Sequence, residues 1–241
     1  MSDTPQPLLS TRGLEKRFGG VVAVSKVDFD LERGEIRCLI GPNGAGKSTF
    51  FKLLSGQIRP SAGTVLFEGK DLVGRAPHEI GRAGIGIKNQ VPDVMNGLTV
   101  RENLWLAARA RHAPRRADTL VDEIAERVSL GPILGRVVGE LAHGQRQWVE
   151  IALVVATDPK LILLDEPAAG MTDEETVRTA ELIRECNRTA TIVVVEHDMK
   201  FIQQIARKVT VFHQGRVLTE GPFERIMADP VVRDVYLGRA A

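Results

Sequence analysis

The nine residues from Gly41 to Thr49, GPNGAGKST, satisfy the spacing G-x-x-x-x-G-K-[ST]. Gly41, Gly44 and Gly46 let a tight turn aim successive backbone amides inward, around the β-phosphate of a nucleotide. Lys47 adds a point charge on the β and γ oxygens, and Ser48 offers a hydroxyl to Mg2+. Pro42, Asn43, Ala45 and Thr49 complete the expected cradle. A second stretch, LILLDEP from Leu161 to Pro167, is an apolar run that delivers two adjacent carboxylates. Beside a phosphate loop, Asp165 can hold Mg2+ through water, while Glu166 points toward the γ-phosphate as base for an attacking water. The plainer alternative is a strand that ends in a solvated acidic loop. His197 in VVVEHD and Gln90 in GIGIKNQ each end an apolar run, where ligand sites of parallel sheets gather. For His197 the expected task is to hold the γ-phosphate and orient water, but position alone leaves both residues equally open to packing or surface roles.

The surrounding pattern supplies elements to carry these groups. From Leu8 to Ile40 it is strand-like, ending in IRCLI, the continuous apolar run of a strand buried on both faces. Helix periodicity follows the glycine-rich turn, then a strand pair, GTVLFEGKDL, and the short strand of GIGIKNQ. Two amphipathic helices, TVRENLWLAARARH and ADTLVDEIAERVSL, form a block between strand-rich halves, and Thr99 with Glu102 gives the first a capping box. After Leu141 a helix is expected to about Thr157, then the strand KLILLDEP, a helix from Thr172 to Asn187, and the strand TIVVVEHD. A helix at 199–207, the strand pair KVTVFHQGRVLTEG and a short helical tail complete the chain. Alternating strands and helices predict an α/β fold with a largely parallel sheet covered on both faces. The expected organisation is one domain over 8–241, with a helical subdomain inserted at about 95–157, a tail at 222–241 and a flexible segment at 1–7.

Composition narrows the class. A formal net charge of +1 argues against a dedicated nucleic-acid binder, which needs a basic excess to meet phosphate backbones. The basic stretch from Arg109 to Arg116 is accordingly taken as a solvated helix end. Apolar runs such as Ile151 to Ala156 are far too short to span a bilayer. The opening MSDTPQPLLS lacks a basic segment followed by an apolar core, so the expected location is cytoplasmic. Cys38 and Cys186 have no metal-ligand spacing around them and are expected to be reduced packing residues.

In order along the chain, Phe18 in KRFGG, the phosphate loop, Gln90, LAHGQ at 141–145, LILLDEP, AAGMT and His197 resemble the ATP-binding subunit of an ABC transporter. The resemblance covers almost the whole chain. It implies that the cofactors are ATP and Mg2+, that Phe18 stacks on adenine, and that Gln90 senses Mg2+ and the attacking water. It also implies an N-terminal antiparallel β subdomain and an α-helical subdomain that, with the Gln90 loop, receives a coupling helix from a membrane protein. LAHGQ is then the family signature: Ala142, His143, Gly144 and Gln145 lie before a helix whose N-terminus faces ATP bound to a partner subunit. The physical argument agrees. One chain supplies loop, metal ligand and base but nothing to close over the γ-phosphate, and a helix N-terminus from a second chain does so, with Gly144 allowing close approach.

The implied partners are a second ATPase subunit, identical or different, transmembrane permeases and, indirectly, a periplasmic solute-binding protein, with no nucleic acid. The implied place is the cytoplasmic face of the inner membrane. The phrases GQRQWVEI and AAGMTDEET and the ending GPFERIMADPVVRDVYLG resemble importers of branched-chain amino acids and, more closely, of urea and short amides. Lipid or lipopolysaccharide export and a soluble regulatory cassette are more distant alternatives, and a GTPase is weaker still because no N-K-x-D motif is present. Three departures stand out. Thr172 replaces a common Asp or Asn, Lys88-Asn89 precede Gln90 where an aromatic is common, and Ala142 replaces the usual signature serine.

Overall fold

The computed structural model describes residues 6–89 and 94–237. In chain order the first elements are β1 (Leu9–Phe18), β2 (Val21–Leu31), β3 (Ile36–Ile40), α1 (Lys47–Leu54), β4 (Ala62–Phe67), β5 (Lys70–Asp71), α2 (Pro77–Ala83) and β6 (Ile85–Lys88). The helical block follows as α3 (Val100–Arg109), α4 (Pro114–Arg127) and α5 (His143–Val155). The remainder is β7 (Leu161–Asp165), α6 (Asp173–Asn187), β8 (Thr191–Val195), α7 (Met199–Ile205), β9 (Lys208–His213), β10 (Arg216–Gly221), α8 (Phe223–Ala228) and α9 (Pro230–Leu237).

The strands form two sheets. One is antiparallel in the order β2-β1-β4-β5, and the other runs β10-β9-β3-β8-β7-β6, parallel except for the edge strand β10. The parallel strands are apolar on both faces because each face meets a different core. Ile36, Cys38, Ile40, Leu164 and Val194 point toward the helical block, while Leu39, Leu163, Val193 and Val195 point toward α1 and the antiparallel sheet. Helix α1 lies between the sheets, and Phe50 bridges them: its ring centroid is 5.4 Å from Phe29 of β2 and 5.0 Å from Phe212 of β9. Arg37, almost wholly buried on β3, pairs with Glu35 at 2.5 Å and Glu220 of β10 at 2.7 Å, tying the strand before the phosphate loop to the sheet edge. Truncating one partner of such a pair leaves an uncompensated buried charge and costs about 3–5 kcal/mol.

The helix starts follow their caps. Thr99 and Glu102 form the expected reciprocal box on α3, and Thr172 and Glu175 form a second on α6. Val100, Leu104 and Ala108 are fully buried, so the apolar face of α3 is core, whereas most of the basic stretch 109–116 is exposed. Both cysteines are free and buried, and burial pushes the Cys186 thiol up to about 12. The strand expected over TIVVVEHD ends with its apolar residues at Val195, so His197 sits in the link between β8 and α7. Sequence periodicity passes over α2, whose seven residues bury only Ile80. The tail resolves into two helices, and Pro230 opens the second.

Candidate nucleotide and hydrolysis site

Strand β3 delivers the phosphate loop into a seat made by both sheets. At Gly46, which precedes α1 with φ 101°, an added Cβ would meet the Ala23 carbonyl oxygen of β2 at 2.4 Å. At Gly41 it would meet the Phe212 carbonyl oxygen of β9 at 2.3 Å. The Gly215 amide, in the turn between β9 and β10, donates to the Ala45 carbonyl at 2.9 Å. Asn43, Gly44 and Ser48 are exposed, Pro42 and Thr49 are partly buried, and Ala45 is buried. The Lys47 ammonium donates to the carbonyls of Gly41 at 2.6 Å and Pro42 at 3.1 Å, spanning the loop. Burial lowers its pKa, and the charges of Glu166 and Asp165 work against that shift.

The two carboxylates beside the loop differ in environment. Asp165 ends β7 and is buried, and its pKa is raised by desolvation first and by Glu166 second. Its Oδ1 is buried without a hydrogen-bond partner. Glu166 is half-buried and takes a left-handed φ of 47°, with its amide donating to Val195 O at 3.0 Å. A non-glycine residue in this region is held there by its surroundings, and such residues cluster at functional sites. The exposed His197 places Nδ1 3.6 Å from Glu166 Oε1, so the structure brings these two predicted residues together. Among the described residues no group of three or more His, Cys, Asp and Glu could hold a metal. An unpartnered Asp165 oxygen and an exposed Ser48 hydroxyl fit Mg2+, which keeps several waters and takes further oxygens from phosphate.

Glu196 is a residue the sequence reading quoted without singling out. It is buried, accepts from the amides of Ala168 at 3.1 Å and His197 at 3.1 Å, and its pKa is raised mainly by desolvation. It therefore joins the turn after Glu166 to the turn bearing His197. Its signal was available in VVVEHD, an acid placed inside an otherwise apolar run.

LAHGQ begins α5, with Ala142 and His143 exposed. Ala142 has no side-chain acceptor for the helix amides, and Gln145 Oε1 accepts from its backbone amide at a long 3.3 Å. His143 Nε2 lies 3.0 Å from the Ala169 carbonyl of the AAGMT segment. Gly144 is buried, and a Cβ there would approach Glu175 Oε1 to 2.2 Å. Its bareness thus has a cause inside the chain, the carboxylate that caps α6. Phe18 ends β1, 51% exposed, with Lys16 Nζ 5.0 Å from its ring centre. Gln90 lies outside the described residues. Between β6 and the helices α3 and α5 is a groove of about 810 Å³, whose walls include Arg82, Leu106, Arg111 and Leu153.

A strand-seated phosphate loop, two carboxylates at the next strand end and a signature loop before a helix define an ATP-binding cassette. The ABC transporter family profile matches residues 24–169, and the chain belongs to that family. It is an ATP hydrolase of the ABC type, the ATP-binding motor of an importer. A second profile, described as branched-chain amino acid ATP-binding cassette transporter, matches residues 216–241. The chain is 39% identical over 253 aligned positions to LivG, the high-affinity branched-chain amino acid transport ATP-binding protein of Escherichia coli K12, covering 98% of this chain and 99% of LivG. It is 36% identical over 254 positions to BraF of Pseudomonas aeruginosa, with the same coverage. Among solved structures, the ADP conformation of an ABC transporter's ATP-binding cassette superposes with a TM-score of 0.87 at 28% identity, covering 98% of this chain and 100% of that one. A nucleotide-free cassette gives 0.84 at 28%, covering 96% and 99%. These relatives favour the branched-chain alternative over the urea preference drawn from GQRQWVEI and AAGMTDEET. No helix among the described residues is long and apolar enough to cross a membrane.

Proposed function

We propose that the chain powers import of branched-chain amino acids, as one of two ATPase subunits beneath transmembrane permeases at the inner face of the membrane. The observation that carries the solute class is the branched-chain profile over 216–241, joined to full-length similarity with LivG. ATP lies with its phosphates in the 41–49 loop and its adenine against Phe18. Ser48, Gln90 and, through water, Asp165 would hold Mg2+, which would supply neutralisation of phosphate charge when bound. Lys47 leaves the Gly41 and Pro42 carbonyls for the β and γ oxygens. Glu166 takes a proton from the attacking water, and His197 holds the γ-phosphate and orients that water.

The γ-phosphate is completed from across the dimer by Ala142, His143, Gly144 and Gln145 at the N-terminus of the partner's α5, where amides and helix dipole favour an anion. Binding closes the two cassettes and hydrolysis reopens them. The groove between β6 and α3 receives the permease segment that reports this movement. A solute-binding protein outside the membrane delivers the cargo.

The test is reconstitution with the permease pair in proteoliposomes. Solute-binding protein loaded with leucine, isoleucine or valine is expected to stimulate ATP hydrolysis and solute uptake together. Stimulation by a urea-loaded binding protein alone would overturn the solute assignment and leave the ATPase assignment standing.

A further inference from the structure

The turn of residues 168–170, which follows the proposed base at short range, is held from two sides. On its buried side the Glu196 carboxylate accepts from the Ala168 amide at 3.1 Å. The Ala169 amide turns back to donate to the Glu166 carbonyl at 3.3 Å, so the position of this turn bears directly on the backbone of Glu166. On its outer side stands His143, the third residue of LAHGQ. Its Nε2 lies 3.0 Å from the Ala169 carbonyl oxygen and 3.3 Å from where a Cβ on Gly170 would stand. Gly170 takes φ 72°, so the imidazole covers a residue that has no side chain of its own to fill the space.

A carbonyl can only accept, so Nε2 carries the proton and donates. Gln147, one turn along α5, is farther from the same nitrogen at 3.4 Å. The ring is thus committed inside its own chain, and His143 has two separable parts. Its amide belongs to the open first turn of α5, where an anion is favoured. Its side chain begins a run of hydrogen bonds, His143 to Ala169 and Ala169 to Glu166, that ends on a residue with a left-handed φ of 47°. A conformation of that kind persists only when its surroundings over-determine it, and the imidazole is one of those surroundings.

We propose that His143 is a positioning residue acting in cis: its ring clasps the Ala169–Gly170 turn and holds Glu166 of the same chain in place, while its backbone serves the partner's nucleotide. The inference rests on the reading of Glu166 as base. A signature residue then works for both sites at once, by amide for the neighbour and by side chain for its own.

Cis and trans are told apart by where the substitution sits. A trace of a chain with intact Glu166 is mixed with a large excess of a Glu166→Gln chain, so that nearly every intact glutamate is closed over by an inactive partner. The first round of phosphate release from labelled ATP with Mg2+ is then timed. His143→Ala on the trace chain is expected to slow it about two- to tenfold, the worth of one neutral hydrogen bond, and by more than the same substitution on the excess chain. His143→Gln on the trace chain, which keeps an N–H donor for the Ala169 carbonyl, is expected to recover most of the rate. An equal or larger loss from the excess chain overturns the proposal, as does a full rate with alanine on the trace chain or no recovery with glutamine. If the Glu166→Gln partner silences its neighbour, homodimers decide: His143→Ala is expected to lower kcat more than it lowers ATP-driven dimer affinity, and the reverse order overturns the proposal. Hydrolysis at the wild-type rate by the Glu166→Gln homodimer overturns the reading of Glu166 as base instead, and is seen before His143 is touched.

Discussion

The N-terminus of α1 is enclosed by its own chain, whereas that of α5 is left open. Gly46 rests on a β2 carbonyl, Lys47 spans the loop before it, and Asp165 and Glu166 stand near enough to act on that lysine. At α5 the leading residues Ala142 and His143 are exposed, and a methyl group stands where a hydroxyl would cap the helix. Both ends present amides suited to an anion. The difference, in the mechanism proposed above, is that one is supplied with charge, metal ligand and base, and the other with a dipole alone. On the proposed reading, a chain built this way is one complete cradle and one lid for someone else's.

The comparison breaks most sharply at Glu166. Glu166→Gln is expected to lower ATP turnover by about 10²- to 10⁴-fold while nucleotide binding persists, so that size-exclusion chromatography with ATP shows a trapped dimer. Turnover near the wild-type rate would remove the glutamate from the role of base. At the open end, Ala142→Ser restores a hydroxyl toward the γ-phosphate. A hydrogen bond is worth about 0.5–1.5 kcal/mol, and roughly 1.5–3 when one partner is charged. The variant should raise ATP-driven dimer affinity accordingly, measured by sedimentation. Unchanged affinity would mean that amides and dipole already suffice.

Gly144→Ala separates the carboxylate beside that glycine from its proposed contact with the partner's nucleotide. The added methyl displaces Glu175 from the Thr172 cap, so melting of the nucleotide-free chain should fall by the worth of a cap, about 0.5–2 kcal/mol. An unshifted melting curve with impaired ATP-driven dimerisation would confine Gly144 to the intersubunit contact.

Local pattern made much of this legible. The phosphate loop and the carboxylate pair are contiguous, and IRCLI, LILL and TIVVV are apolar without interruption because cores lie on both faces of one sheet. The Thr99 and Thr172 caps are short-range as well. Contacts between distant segments were not legible. Glu175 fills the space beside Gly144 only because α6 packs against the start of α5, and neither helix's own periodicity encodes that meeting. Lys88 reads in sequence as a polar residue entering a loop, yet it is buried by Glu150 from the helical block. Glu196 was masked by the histidine beside it. Helix α2 was missed because one buried side chain in seven residues makes no stripe.

The seat of the phosphate loop also sets a date in the life of the chain. The loop is synthesised by Thr49, on top of Ala23, but the carbonyl under Gly41 comes from Phe212 and the amide that holds Ala45 comes from Gly215. Chains fold from the N-terminus as they leave the ribosome. The nascent polypeptide therefore carries a finished phosphate motif with only the Ala23 part of its seat until the β9–β10 hairpin emerges, and the seat is completed only by that hairpin.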